Sequence, residues 1–152
     1  MKRFRFPLRP VAILRANREL KAREALAASM AAHAQTEARL AATRARILNL
    51  EELVRRDRSG AFLAGAGATF NQAYRREWAA EAEAQRQVNA ARAVLDRSRD
   101  ACVEANRELK AIARLEENAR GDYEQLRQRD EQGQLDEIAG QRAARRRHAQ
   151  SL

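Results

Sequence analysis

From Val11 to Arg58 the sequence contains neither glycine nor proline, and from Phe70 to Arg120 it again contains neither. These two residues punctuate helices, so both stretches can run helical without a break. A sevenfold repeat runs through each. In the first, Leu26, His33, Leu40, Ile47 and Val54 stand seven apart, and Ala22, Ser29, Thr36, Thr43 and Leu50 fill the companion row. In the second, Val88, Leu95, Cys102 and Leu109 stand seven apart, and the same row takes in Tyr74, Glu81, Glu116 and Tyr123. Its companion row is Ala84, Ala91, Ser98, Ala105, Ile112, Ala119 and Leu126. Two heptad registers with small residues in one row of each predict two long helices in close coiled-coil contact.

The fold class expected is all-α: an antiparallel coiled-coil hairpin whose C-terminal helix extends beyond the stem. Pro10 suits the first turn of a helix, where a missing N–H costs nothing. The first helix should cover residues 10–58, followed by a tip at 59–68 that holds Gly60, Gly65 and Gly67. Thr69 followed by Gln72 is a capping-box pattern that can start a second helix, expected over 69–147. Gly121, Gly133 and Gly140 weaken that helix without ending it. If the tip centres near residue 63, facing positions add to about 126. Val54 then meets residues 70–74, Leu26 meets residues 98–102, and the last thirty or so residues project past the first helix, itself roughly 70 Å long. The 152 residues would form one such hairpin.

Composition closes off other architectures. The apolar share is 45%, half of it alanine, and aromatics are 5%, too little bulk to fill a sandwich, barrel or doubly wound core. The longest uncharged runs, between Glu24 and Glu37 and between Arg58 and Arg75, fall short of a membrane span. Arg9 and Arg15 interrupt any signal-peptide core. One cysteine, Cys102, forms no intrachain disulfide and fits a reducing compartment. With His33 and His148 it falls short of the usual zinc ligand sets. There is no Gly-rich phosphate loop and no G-x-S-x-G, so neither an enzyme nor a cofactor is expected.

Charge gathers at one end. The chain has 30 Lys and Arg against 21 Asp and Glu, net +9. Residues 1–30 hold eight basic and two acidic residues, whereas residues 31–130 hold 18 and 16. In a hairpin this places the positive excess at the open end, with a mixed, solvated surface along the stem. A second notable group is Phe70, Tyr74 and Trp78, three of the seven aromatics within nine residues. Only Tyr74 falls on the heptad row, so Phe70 and Trp78 should drift to its flank. They either form a protein interface or cap the coiled coil with Phe62 and Leu63. His33 and Cys102 read as seam residues rather than as a ligand or redox group.

The opening MKRFRFPLRPVAILRANRELKAREALA, with its F-x-F-x-L start at Phe4, Phe6 and Leu8 and a basic helix after it, resembles the flagellar FliJ family. Residues 105–120 (ANRELKAIARLEENAR) resemble that family's R/K-x-L-x-x-L-x-E segment. Residues 130–146 (DEQGQLDEIAGQRAARR) resemble its acidic-then-basic ending. Start, tip and ending occur in the family's order, and the resemblance covers nearly the whole chain.

The resemblance implies a cytoplasmic component of the flagellar type III export apparatus, peripheral at the inner face of the cell membrane. Its partners would be the hexameric export ATPase, entered by the open end, the cytoplasmic domain of the membrane export gate, and export chaperones. ATPase contact falls on Arg3, Phe4, Arg5, Phe6, Leu8, Arg9, Arg15 and Arg18, and on Leu135, Asp136, Glu137 and Ile138. For Phe4, Phe6 and Leu8 the alternative is a flap packed on the second helix. For residues 135–138 it is a helix end carrying its own i,i+4 pairs. Gate contact falls on Phe70, Tyr74 and Trp78. There the family has tyrosines on the first helix, whereas this chain has Arg46 and Leu50. An injectisome stalk of the YscO type, a scaffold coiled coil, and a basic rod binding nucleic acid through phosphates are the other readings. Against the last, the aromatics do not interleave with basic residues as a stacking platform would. No small-molecule ligand is expected.

Overall fold

The computed structural model describes residues 3–57 and 64–150. It contains two helices, α1 (Arg9–Asp57) and α2 (Ala64–Gln150), and no strand among the described residues. Within each of the chain's two compact units the helix segments pack antiparallel, Arg44 pairing with Glu81 and Arg46 with Glu77 in one, Arg9 with Glu116 and Arg15 with Glu108 in the other. Ahead of α1 the Arg9 amide donates to the Phe6 carbonyl at 3.2 Å and the Ala12 amide to the Leu8 carbonyl at 3.0 Å. Pro10 is the second residue of α1, among the amides that have no intrahelical acceptor.

α2 starts five residues earlier than the capping pattern predicts. Thr69 and Gln72 therefore lie inside the helix and do not cap it. Ala64, Ala66 and Ala68 alternate with Gly65 and Gly67, and alanine's propensity offsets a glycine cost of about 1 kcal/mol each. The remainder of the expected tip, including Gly60, Phe62 and Leu63, lies outside the described residues. α2 also runs unbroken through Gly121, Gly133 and Gly140, where an added Cβ would meet open space.

The chain divides into two compact units, residues 18–105 and a second made of residues 1–17 with 106–152. In the first unit Leu40, Ile47, Ala84 and Leu95 are buried, and Leu26, His33, Val54, Val88 and Cys102 are half-buried. Ser29 and Thr43 are buried beside them. Their hydroxyls donate to carbonyls of their own helix, Ser29 to Leu26 at 2.9 Å and Thr43 to Arg39 at 3.0 Å, and Thr36 does the same to His33 at 2.8 Å. A small hydroxyl residue can thus occupy the seam without demanding a partner on the other helix. Beside the seam, Arg44 pairs with Glu81 at 2.9 Å, Arg46 with Glu77 at 2.9 Å, and the Tyr74 hydroxyl donates to Glu51 at 3.0 Å. On the outer surface Arg86, then Gln87, hydrogen-bond to Glu83 and hold its carboxyl below the usual value.

In the second unit Ile112 is the buried residue, 3% exposed, with Leu109 half-buried near it in sequence. Arg9 pairs with Glu116 at 3.2 Å, and Arg15 donates to the Glu108 carbonyl at 3.0 Å. Beyond Glu124 every described side chain to residue 146 is exposed. Leu126, expected on the companion row, is among them at 56%, because α1 has no residue left to cover it.

Candidate interaction surfaces

The first surface is built where residues 3–10 meet α2. Phe4 is half-buried, its ring 5.5 Å from that of Tyr123 and tilted 51° to it. The Arg120 guanidinium lies 5.8 Å from the Phe4 ring centroid, within cation–π reach. Glu116 receives Arg9 at 3.2 Å and Arg120 at 3.7 Å, so one carboxylate holds two cations. An open groove of about 670 Å³ runs along this junction, lined by Phe4, Phe6, Arg5, Arg9, Glu116 and Arg120 among others. Phe6 is half-buried, and Arg3, Arg5 and Leu8 are exposed. Phe4 thus packs against α2, while Arg3, Arg5 and Leu8 beside it are open to solvent.

The other residues singled out at this end are dispersed. Arg15 is half-buried and tied to Glu108, and Arg18 is exposed. Leu135, Asp136, Glu137 and Ile138 are all exposed, and Glu137 accepts from Gln141 one turn on at 3.4 Å. Glu116, Arg120 and Tyr123 complete the N-terminal junction and were not singled out as site residues. Glu116 and Tyr123 do lie on the heptad row, which was the available signal.

The second surface lies on residues 44–81. Phe70 stacks on Tyr74 with centroids 5.8 Å apart, and Tyr74 meets Trp78 edge-on at 6.1 Å. Phe70 and Tyr74 are half-buried, and Trp78 is 48% exposed. Two shallow cavities flank this ladder. One of about 370 Å³ is lined by Glu51, Val54, Arg55, Phe70 and Tyr74. The other, about 290 Å³, is lined by Arg44, Ile47, Leu48, Glu51, Trp78 and Glu81. On α1 the exposed apolar side chain is Leu48, 64% exposed, beside Ile47 and Val54, with Arg46 engaged by Glu77 and Leu50 half-buried. Leu48 sits off both heptad rows, so periodicity gave it no weight.

Neither surface brings catalytic groups together. Among the described residues no group of three His, Cys, Asp or Glu side chains could hold a metal ion. His33 sits half-buried with Nδ1 3.6 Å from Glu37, and Cys102 is half-buried. No helix among the described residues is long and apolar enough to cross a membrane.

Compared with known families, residues 4–148 match the family model described as flagellar FliJ protein. No curated protein and no solved structure matches the chain.

Proposed function

The chain belongs to the FliJ family of flagellar export proteins, and from that premise we propose that it is the central stalk of the hexameric export ATPase. The observation that carries this reading is the basic, partly apolar junction of residues 3–10 with α2. There Arg3, Arg5 and Leu8 are exposed beside an open groove. Interfaces favour aromatics and arginine, and a positive end suits an acidic ring collar. The stalk has no catalysis of its own. It raises ATPase turnover by binding the assembled hexamer better than free protomers. On this reading the protein works in the cytoplasm, beneath the export gate, with export chaperones as further partners.

The test is the activity of the organism's flagellar export ATPase with and without the full chain. Stimulation is expected, and a truncation lacking residues 1–15 and 131–152 should lose it. No binding and no stimulation would sink the stalk reading.

The aromatic ladder is the proposed contact for the cytoplasmic domain of the gate. Trp78 and Leu48 offer exposed apolar surface on both helices, as hot spots require. Alanine at Phe70, Tyr74 and Trp78 together is expected to weaken gate binding at least about tenfold, since a buried aromatic anchor commonly contributes 2 kcal/mol or more. Titration calorimetry against the gate domain reads this directly, and unchanged affinity would remove the ladder from the interface.

A further inference from the structure

Between Glu24 and Glu52 the solvent side of α1 carries no charge. Leu20, Ala27, Ala34, Ala41 and Leu48 stand seven apart on it, and all five are exposed, the two leucines by 54% and 64%. Ala31, Ala38 and Ala45 form a second exposed row beside them, and Met30, 52% exposed, lies on the flank between Ala27 and Ala34. The charged residues of this stretch stand elsewhere. Arg44, Arg46 and Glu51 reach across to Glu81, Glu77 and Tyr74 of α2, Glu37 lies beside His33, and Arg39 flanks the seam next to Leu40. The seam toward α2 is the separate row of Leu26, His33, Leu40 and Ile47. α1 thus has two sevenfold apolar sides where a surface helix has one, and a helix apolar on both sides packs on both.

We propose that a second copy of this chain docks antiparallel along this outer side of α1, centred on Ala34. The row reads the same from either end. Ala27 and Ala41 stand seven residues to either side of Ala34, and Leu20 and Leu48 stand fourteen. A two-fold contact requires that where residue i meets j, j meets i. This face satisfies that condition with Leu20 on the partner's Leu48, Ala27 on the partner's Ala41 and Ala34 on the partner's Ala34. Charge sets the direction. A parallel pair would bring Lys21, Glu24 and Glu52 each against its own copy, whereas the antiparallel pair sets Lys21 by Asn49 and Glu24 by Ala45. A face without cations offers nothing to the phosphates of a nucleic acid. Area sets the strength. Residues 20–48 span about 43 Å, and a strip about 12 Å wide along that length covers roughly 500 Å² on each copy. The total of about 1,000 Å² is at the low end for a specific contact, so the dimer is weak and depends on concentration. Alanine on both copies lets the helix axes approach to about 8 Å. The inference stands apart from the stalk reading, because Ala27, Ala34 and Ala41 are not among the residues assigned to the ATPase or the gate.

The experiment is sedimentation equilibrium of the full chain from micromolar concentration to about 1 mM. The mean mass should rise from one chain toward two. Ala34→Arg sets two like charges face to face on the two-fold axis, and it should lower the association constant at least about tenfold. Position 34 is exposed and arginine is a good helix former, so the variant's circular dichroism should match wild type. Cross-linking reads the direction. It uses a Cys102→Ser background, its fold checked by circular dichroism, because Cys102 is the chain's own thiol. At an axis distance of about 8 Å, facing Cα atoms lie within disulfide reach. Ala34→Cys should therefore oxidise to a covalent dimer by itself. Ala27→Cys should do so only when mixed with Ala41→Cys. The proposal is overturned if the wild type keeps the mass of one chain throughout, which would leave the face to a helix of another protein. It is equally overturned if Ala34→Arg associates like wild type, which would put the contact on another face. Self-linking of Ala27→Cys as readily as Ala34→Cys would make the pair parallel and overturn it too.

Discussion

Alanine in place of Leu95 is expected to destabilise residues 18–105 by about 2–3 kcal/mol in urea unfolding. Leu95 is 6% exposed and lies in a seam whose other buried apolar residues are Leu40, Ile47 and Ala84. With so little bulk in the row, no neighbour can move in to fill the space. Most of the lost transfer energy and part of the cavity cost should therefore be felt. Against a typical total of about 5–15 kcal/mol this is a large share. The control is Leu48→Ala, where 64% exposure should keep the change within about 0.5 kcal/mol. Equal effects at the two positions would mean that the sevenfold row is not the core.

The opposite sign is expected at Glu19. It stands seven residues before Leu26 on the same row, and it is buried. It is ion-paired with Arg23 of its own helix, yet its Oε1 accepts no well-aligned hydrogen bond. The carboxylate has given up water for one partner, and that partner is 62% exposed. Glu19→Leu removes the desolvation cost, continues the apolar row, and leaves Arg23 free to hydrate. Replacing a buried ion pair by packed apolar groups often gains stability, so an increase of about 1–2 kcal/mol is expected, read as a higher Tm. A lower Tm would show that Glu19 has a buried partner role that outweighs its desolvation.

The rows that predicted the helix pair are visible in sequence because burial on a helix repeats. Leu40, Ile47, Leu95 and Ile112 are buried at the spacing that a two-helix contact imposes. What lacks periodicity was harder to read. The start of α2 depends on whether three alanines outweigh two glycines, a local balance that a capping pattern at Thr69 obscured. Leu126 continues the row on paper, but its burial depends on where the other helix ends. The N-terminal junction is harder still. The packing of Phe4 on Tyr123 joins residues over a hundred positions apart, and neither alternative for Phe4 could be chosen from the sequence. Leu48 and Trp78 come together only because both lie beside the seam, outside the rows that carry the pattern.

The spacing of the cross-helix bonds sets an order of events for the chain. Glu51 and Tyr74 are 23 residues apart, Arg46 and Glu77 are 31, and Arg9 and Glu116 are 107. The entropic cost of closing a loop rises with the chain it encloses, slowly but without reversal. Contacts near the turn therefore form first, and each one shortens the loop left for the next. Assembly proceeds from the most closely spaced of these contacts to the most widely spaced, each step closing a shorter loop than it would alone. The junction of Phe4 and Arg9 with α2 closes last in folding and opens first in unfolding.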